Sequence, residues 1–204
     1  NLFHYMTKSN TKYKPCHKGY KTQNVSSFME KGIALLGVDL KSAVAIIMLR
    51  NRLEIIPIHF GVRNPEIINL AEHLGLHYLY FVPFEAPKDP LVARALMVYL
   101  ADKIAQKEYA KFIITGENVP SISSEALSTM QQLNYISKTT IIRPIFSLSE
   151  AEIKRISKEN DLPLLNTDPS LDLVTTNVKN LREELSKYTR QADEWYQQAQ
   201  LIEL

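Results

Sequence analysis

Through the middle of this chain, short apolar runs alternate with amphipathic segments. Residues 32–36 (GIALL) are unbroken apolar sequence and predict a buried strand, and residues 41–50 predict a helix. A second strand is predicted over 53–59, a helix over 65–74 and a third strand over 77–82. A long amphipathic helix over 90–106 leads to a fourth strand at 111–115, a helix at 123–132 and a fifth strand at 139–143. Ser149 followed three residues later by Glu152 is a capping box, which opens a helix through residue 158. Continuously apolar strands separated by helices call for a parallel sheet covered on both faces, so the expected fold is α/β with a doubly wound five-stranded parallel sheet. Such sheets bind ligands at the carboxyl ends of their strands, which singles out the loops after Leu36, His59, Val82 and Thr115.

The two ends differ from this middle. Residues 1–30 are polar and aperiodic, and read as an N-terminal arm ahead of the α/β domain over 31–170. Lys8, Lys12, Lys14, Lys18 and Lys21 crowd the arm with His17, interleaved with Tyr13 and Tyr20. That mixture suits nucleic acid, because ammonium groups neutralise phosphates and rings stack on bases; a solvated tail has the same composition. Residues 171–204 read as a long C-terminal helix, in which Leu181, Leu185, Tyr188, Ala192, Trp195 and Ala199 make one apolar stripe. The stripe either packs on its own domain or forms the seam of a homodimer.

Composition narrows the class. Of 204 residues, 45% are hydrophobic and 23% charged, the balance of a globular chain. The formal charge of +2 is too small to point to a partner. Cys16 is the single cysteine, so an intrachain disulfide is excluded. The strongest apolar run, residues 43–49, is far too short to cross a bilayer. A cytoplasmic protein with no membrane association is expected.

Candidate chemistry lies in the strand-end loops. After the first strand, Gly37 permits a tight turn into a helix whose amino end can face a phosphate, with Lys41 as a point charge and Ser42 as a hydroxyl donor. Lys41 and Ser42 are the candidate catalytic residues. His59 and Phe60 end the second strand, where backbone and ring can hold a purine; a structural strand-end histidine is the plainer reading of His59. Gly116 allows a ligand or another backbone to approach closely, and Glu117 beside it can act as base, ribose partner, magnesium ligand or cap. Arg94, in a mostly apolar helix, should reach solvent or meet an anion. The histidines are scattered, and no His or Cys spacing fits a zinc site.

Several of these stretches together resemble a known family. The run from Arg94 to Ala105, the run Phe112-Ile-Ile-Thr-Gly-Glu-Asn-Val-Pro-Ser-Ile-Ser-Ser-Glu-Ala-Leu127, Ile142-Arg-Pro-Ile145, and Pro57-Ile-His-Phe60 are similar to the ThiI-type tRNA 4-thiouridine synthetases. The likeness covers about residues 32–165 and keeps the order of its segments. It implies a HUP-type fold, Rossmann-like, with strand order 3-2-1-4-5 and ATP (or AMP) held after the first strand, with magnesium as a companion. It also implies that a tRNA uridine carbonyl is adenylated before sulfur replaces its oxygen. Carried over by position, nucleotide contacts fall at Leu35, Leu36, Gly37, His59, Phe60, Arg94, Gly116 and Glu125, the last standing where the family has glutamine.

The resemblance breaks at two places. The family's pyrophosphate loop reads Ser-Gly-Gly-x-Asp-Ser, whereas this chain has Gly37-Val38-Asp39-Leu40-Lys41-Ser42. A Cβ and a carboxylate replace glycines whose backbone would wrap a phosphate. The family's sulfur-handling cysteine has no counterpart in residues 160–178. Two readings follow: an adenylating enzyme in tRNA thiolation, with sulfur delivered by a partner protein, or a non-catalytic relative that binds nucleotide, tRNA or a protein.

Overall fold

The computed structural model describes residues 29–118, 124–163 and 181–204; for Ser124 and Glu125 it describes the backbone alone. All but the last two residues of the basic arm, with Cys16, lie outside the described residues. The chain alternates β1 (Glu30–Leu35), α1 (Leu40–Leu49), β2 (Leu53–Phe60), α2 (Pro65–His73), β3 (Tyr78–Val82), α3 (Pro90–Lys107), β4 (Phe112–Ile114), α4 (Ser124–Asn134), β5 (Thr140–Ile142) and α5 (Glu150–Glu159). Two short helices, α6 (Leu181–Ser186) and α7 (Thr189–Gln197), and a strand, β6 (Gln200–Glu203), complete it.

The sheet order is β5-β4-β1-β2-β3-β6. Its first five strands are parallel and follow the expected 3-2-1-4-5 winding. Alternate strand residues point to opposite faces, and both faces are apolar. Ile33, Leu35, Ile58, Tyr80 and Val82 enter one core cluster with α3, α6 and α7. Ala34, Leu79, Phe81 and Ile114 enter the other, with α1, α2 and α5. Helix α1 is buried from Leu40 to Ile46, as its nearly uniform apolar sequence requires. Among the described residues no helix is long and apolar enough to cross a membrane.

The C-terminal segment differs from the single long helix expected of it. A turn at Lys187 and Tyr188 separates α6 from α7, and the chain then extends as β6 antiparallel to β3, pairing Leu79 with Ile202. The stripe keeps its phase across the turn. Leu181, Ala192 and Trp195 are buried in the chain's own core, with Leu185, Tyr188 and Ala199 packed against it. Intramolecular packing therefore takes up the face that the homodimer reading would have used.

Candidate functional site

A cleft opens at the carboxyl edge of β1, β2 and β4, where the winding of the sheet reverses. Leu35, Leu36, Gly37 and Ser42 line it from the β1–α1 connection, His59 and Phe60 from the end of β2, Arg94 and Met97 from α3, and Gly116 from beyond β4. Residues chosen from four separate stretches of sequence thus share one cavity. Met97 and Asp39 also line it and were not among the candidates.

The floor and one wall are held by backbone geometry. The Leu36 amide donates to the Ile58 carbonyl at 2.8 Å, extending the β1–β2 ladder beyond β1. The Leu36 carbonyl accepts from His59 Nδ1 at 3.0 Å. A carbonyl can only accept, so Nδ1 carries the proton and Nε2 of the neutral ring presents a lone pair. Burial, which favours the neutral ring, holds the imidazole below its ordinary pKa, and that hydrogen bond opposes the shift. Phe60 meets Phe84 edge-on at 5.6 Å, and Phe84 meets Trp195 at 4.9 Å. The C-terminal helix α7 therefore buttresses the aromatic wall. Sequence spacing marked Trp195 as part of an apolar stripe and carried no sign of this second contact.

The α1 end of the cleft is closed by its own polar groups. Asp39 is the N-cap of α1 and is 2% exposed. Its Oδ1 accepts from the Ser42 amide at 2.8 Å and its Oδ2 from Ser42 Oγ at 2.7 Å. The Gly37 amide donates to Ser42 Oγ at 3.1 Å. Burial pushes the Asp39 carboxyl above its ordinary pKa, while hydrogen bonds from Ser42 and the Arg94 charge pull it back. Asp39-x-x-Ser42 is readable as an N-cap pattern, a signal overshadowed here by the contrast with a glycine-rich loop. Gly116 backs this turn: a Cβ there would stand 2.6 Å from the Ser42 amide nitrogen and 2.8 Å from the Lys41 carbonyl carbon. The close approach expected of Gly116 is thus to the backbone of α1.

Lys41 does not join the cleft lining. Its buried side chain turns to Glu150 Oε1 of α5 at 3.3 Å, tying two helices on the same face of the sheet. Glu125 lies in α4, and its side chain is outside the described residues. Glu117, for which four roles were open, is 1% exposed and ion-paired with Arg143, while Arg94 Nε stands 4.0 Å from its other oxygen. Thr115 Oγ1 also donates to it at 3.2 Å. Among the described residues, no group of three or more His, Cys, Asp or Glu side chains is placed to hold a metal ion.

With this geometry in hand, likeness to known proteins becomes specific. The model of the thiamine biosynthesis protein (ThiI) family matches residues 83–188, which is more than half of the chain. The chain belongs to this family. A probable tRNA sulfurtransferase of Streptococcus equi subsp. equi is 29% identical over 168 residues, covering 71% of this chain and 42% of that protein. One from Bacillus velezensis is 32% identical over 101 residues, covering 44% and 25%. The chain thus spans well under half the length of these relatives. In three dimensions it resembles a 4-thiouridine synthetase solved with RNA and bound ATP, with a TM-score of 0.68 at 19% identity over 86% of this chain and 55% of that one. It also resembles a U34-tRNA thiolase from Methanococcus maripaludis, with a TM-score of 0.52 at 13% identity over 86% and 74%. At these identities the structural likeness speaks for the fold.

Proposed function

We propose that this chain is an adenine-nucleotide-binding member of the ThiI family that works in tRNA thiolation. The observation that supports it is the convergence of Leu35, Leu36, His59, Phe60, Arg94 and Gly116 on one cleft at the winding reversal of the sheet. The leucines offer an apolar floor, Phe60 a ring face, and His59 Nε2 an acceptor for an amino or hydroxyl group. Curated relatives are named tRNA sulfurtransferases, which supports tRNA as the partner.

Two readings of that role differ in what becomes of the nucleotide. In the first, ATP and magnesium bind here, a uridine carbonyl is adenylated, Lys41 and Ser42 serve the phosphates, and another protein delivers sulfur. In the second, the cleft binds a nucleotide without cleaving it, and the chemistry lies with a partner. The fit of the α1 end favours the second. Asp39 takes the hydrogen bonds of Ser42, and Lys41 is turned to Glu150. A triphosphate meets the buried Asp39 carboxylate there.

Competition against labelled adenosine tests the base reading. Unlabelled adenosine should displace the label at least about tenfold better than guanosine, cytidine or uridine, and Phe60→Ala should weaken adenosine by about tenfold. Equal displacement by all four nucleosides would overturn it. For tRNA, filter binding of a transcript should show affinity that falls steeply with salt, and no retention at low salt would remove tRNA from the proposal.

A further inference from the structure

The fold family implies ATP, and the α1 end of this cleft does not fit its pyrophosphate. We propose that the cleft takes an adenine nucleoside carrying at most one phosphate, because Asp39 stands as a built-in anion where a pyrophosphate would sit. This rests on the reading of the cleft as an adenine site and adds to it the class of ligand accepted.

Three donors at this helix end are already engaged. Asp39 takes the Ser42 amide and the Ser42 hydroxyl, and that hydroxyl in turn takes the Gly37 amide. The same turn is pressed from behind by Gly116, which leaves less space than a single added carbon between it and the α1 backbone. The loop therefore cannot back away to admit another anion without breaking the contact with β4. A phosphate arriving at this helix end would have to displace a carboxylate that is 2% exposed and doubly hydrogen-bonded. Its charge would otherwise be repelled at short range in a poorly solvated site.

Cations nearby do not reverse this. Lys41 is committed to Glu150 on the α5 side. Arg94 lines the cleft but lies between two carboxylates: it stands 4.0 Å from Glu117 and is near enough to Asp39 to stabilise its charge. The remaining surface is apolar or accepting: Leu35, Leu36 and Phe60, with the free lone pair of His59. Such a surface suits a neutral ligand with amino and hydroxyl donors, which is what a nucleoside offers. A single phosphate is admitted only if it points out of the cleft to solvent.

Calorimetric titration of the whole chain with adenosine, AMP and ATP plus magnesium, at one ionic strength, decides the matter. Adenosine and AMP are expected within about threefold of each other, and ATP about tenfold or more weaker than adenosine. Asp39→Ser keeps a capping hydroxyl and removes the charge, and should raise ATP affinity relative to adenosine by about tenfold or more. Asp39→Asn, nearly isosteric, repeats the comparison if the serine variant does not fold, and the wild-type series needs no variant at all. If wild-type ATP binds as tightly as adenosine or more tightly, this inference is overturned and the nucleotide reading stands. An unchanged ATP-to-adenosine ratio in a folded Asp39 variant also overturns it. If none of the three ligands binds, the nucleotide reading falls and takes this inference with it.

Discussion

At the α1 end of the sheet edge, Gly37, Asp39 and Ser42 satisfy one another within six residues of chain. Beside them, Arg94 of α3, Glu117 and Asn118 beyond β4, and Arg143 beyond β5 come from three distant stretches. Glu117 Oε1, Asn118 Oδ1 and Arg143 Nη2 are buried without a hydrogen-bond partner among the described residues. One Asn118 amide hydrogen reaches the Ile145 carbonyl at 3.0 Å and the other reaches Leu148 at 2.6 Å, which anchors the loop after β5. The first cluster is local, complete and closed to an outside anion. The second is assembled by the fold and holds two guanidinium groups around the one carboxylate of Glu117, which both of them share. Local closure makes a turn rigid; long-range pairing makes a cluster vulnerable to the loss of one member.

Breaking the second cluster should have the largest effect. Glu117→Ala leaves Arg94 and Arg143, 15% and 10% exposed, facing each other with no carboxylate between them. The expected loss is about 3–5 kcal/mol of folding stability in urea or guanidinium titration. A loss below about 1 kcal/mol would mean that the arginines reach solvent, and that the comparison overstates their dependence on Glu117.

Wedging the first cluster should cost less. Gly116→Ala places a Cβ against the backbone of Lys41 and Ser42, where no flexible side chain can yield. About 1–3 kcal/mol should be lost, together with adenosine affinity, because the same turn forms the cleft wall. An alanine variant as stable as the wild type would show that β4 and α1 separate readily, and would make the closed turn adaptable.

The smallest effect concerns His59, which lies between the Phe81 ring and the Leu36 carbonyl. Its folded pKa is lowered from 6.5, so the unfolded chain takes up its proton first as pH falls. Stability contributed by the neutral ring is therefore full above about pH 6.5 and is lost as pH falls from there toward the folded value. Thermal melts at a series of pH values should show this decline, and His59→Asn should flatten it. A melting temperature that rises through the same window in the wild type would contradict the assignment of Nδ1 as donor and Nε2 as a bare lone pair.

Much of this protein follows from local pattern. Apolar runs of strand length separated by helix-length segments specify five parallel strands, because a parallel sheet must bury both faces. The winding then brings the ends of β1, β2 and β4 together, so Leu36, His59 and Gly116 could be assigned to one edge without knowing any side-chain contact. The Ser149–Glu152 capping box, visible as a spacing, is present as such. Other features depended on which surfaces meet. Gln200–Glu203 falls within the C-terminal helix expected over 171–204, yet becomes a strand because the open edge of β3 offers backbone partners. Lys41 looked like a phosphate ligand by its place in the loop, but a helix turns successive residues about 100° apart, and its direction leads to Glu150 on α5. Arg143 and Glu117 are 26 residues apart, and no local rule joins them. Periodicity and short-range hydrogen bonding can be read along one chain because their partners are near neighbours in sequence. Ion pairing across elements and strand addition at an edge cannot, since their partners become neighbours only after the sheet has formed.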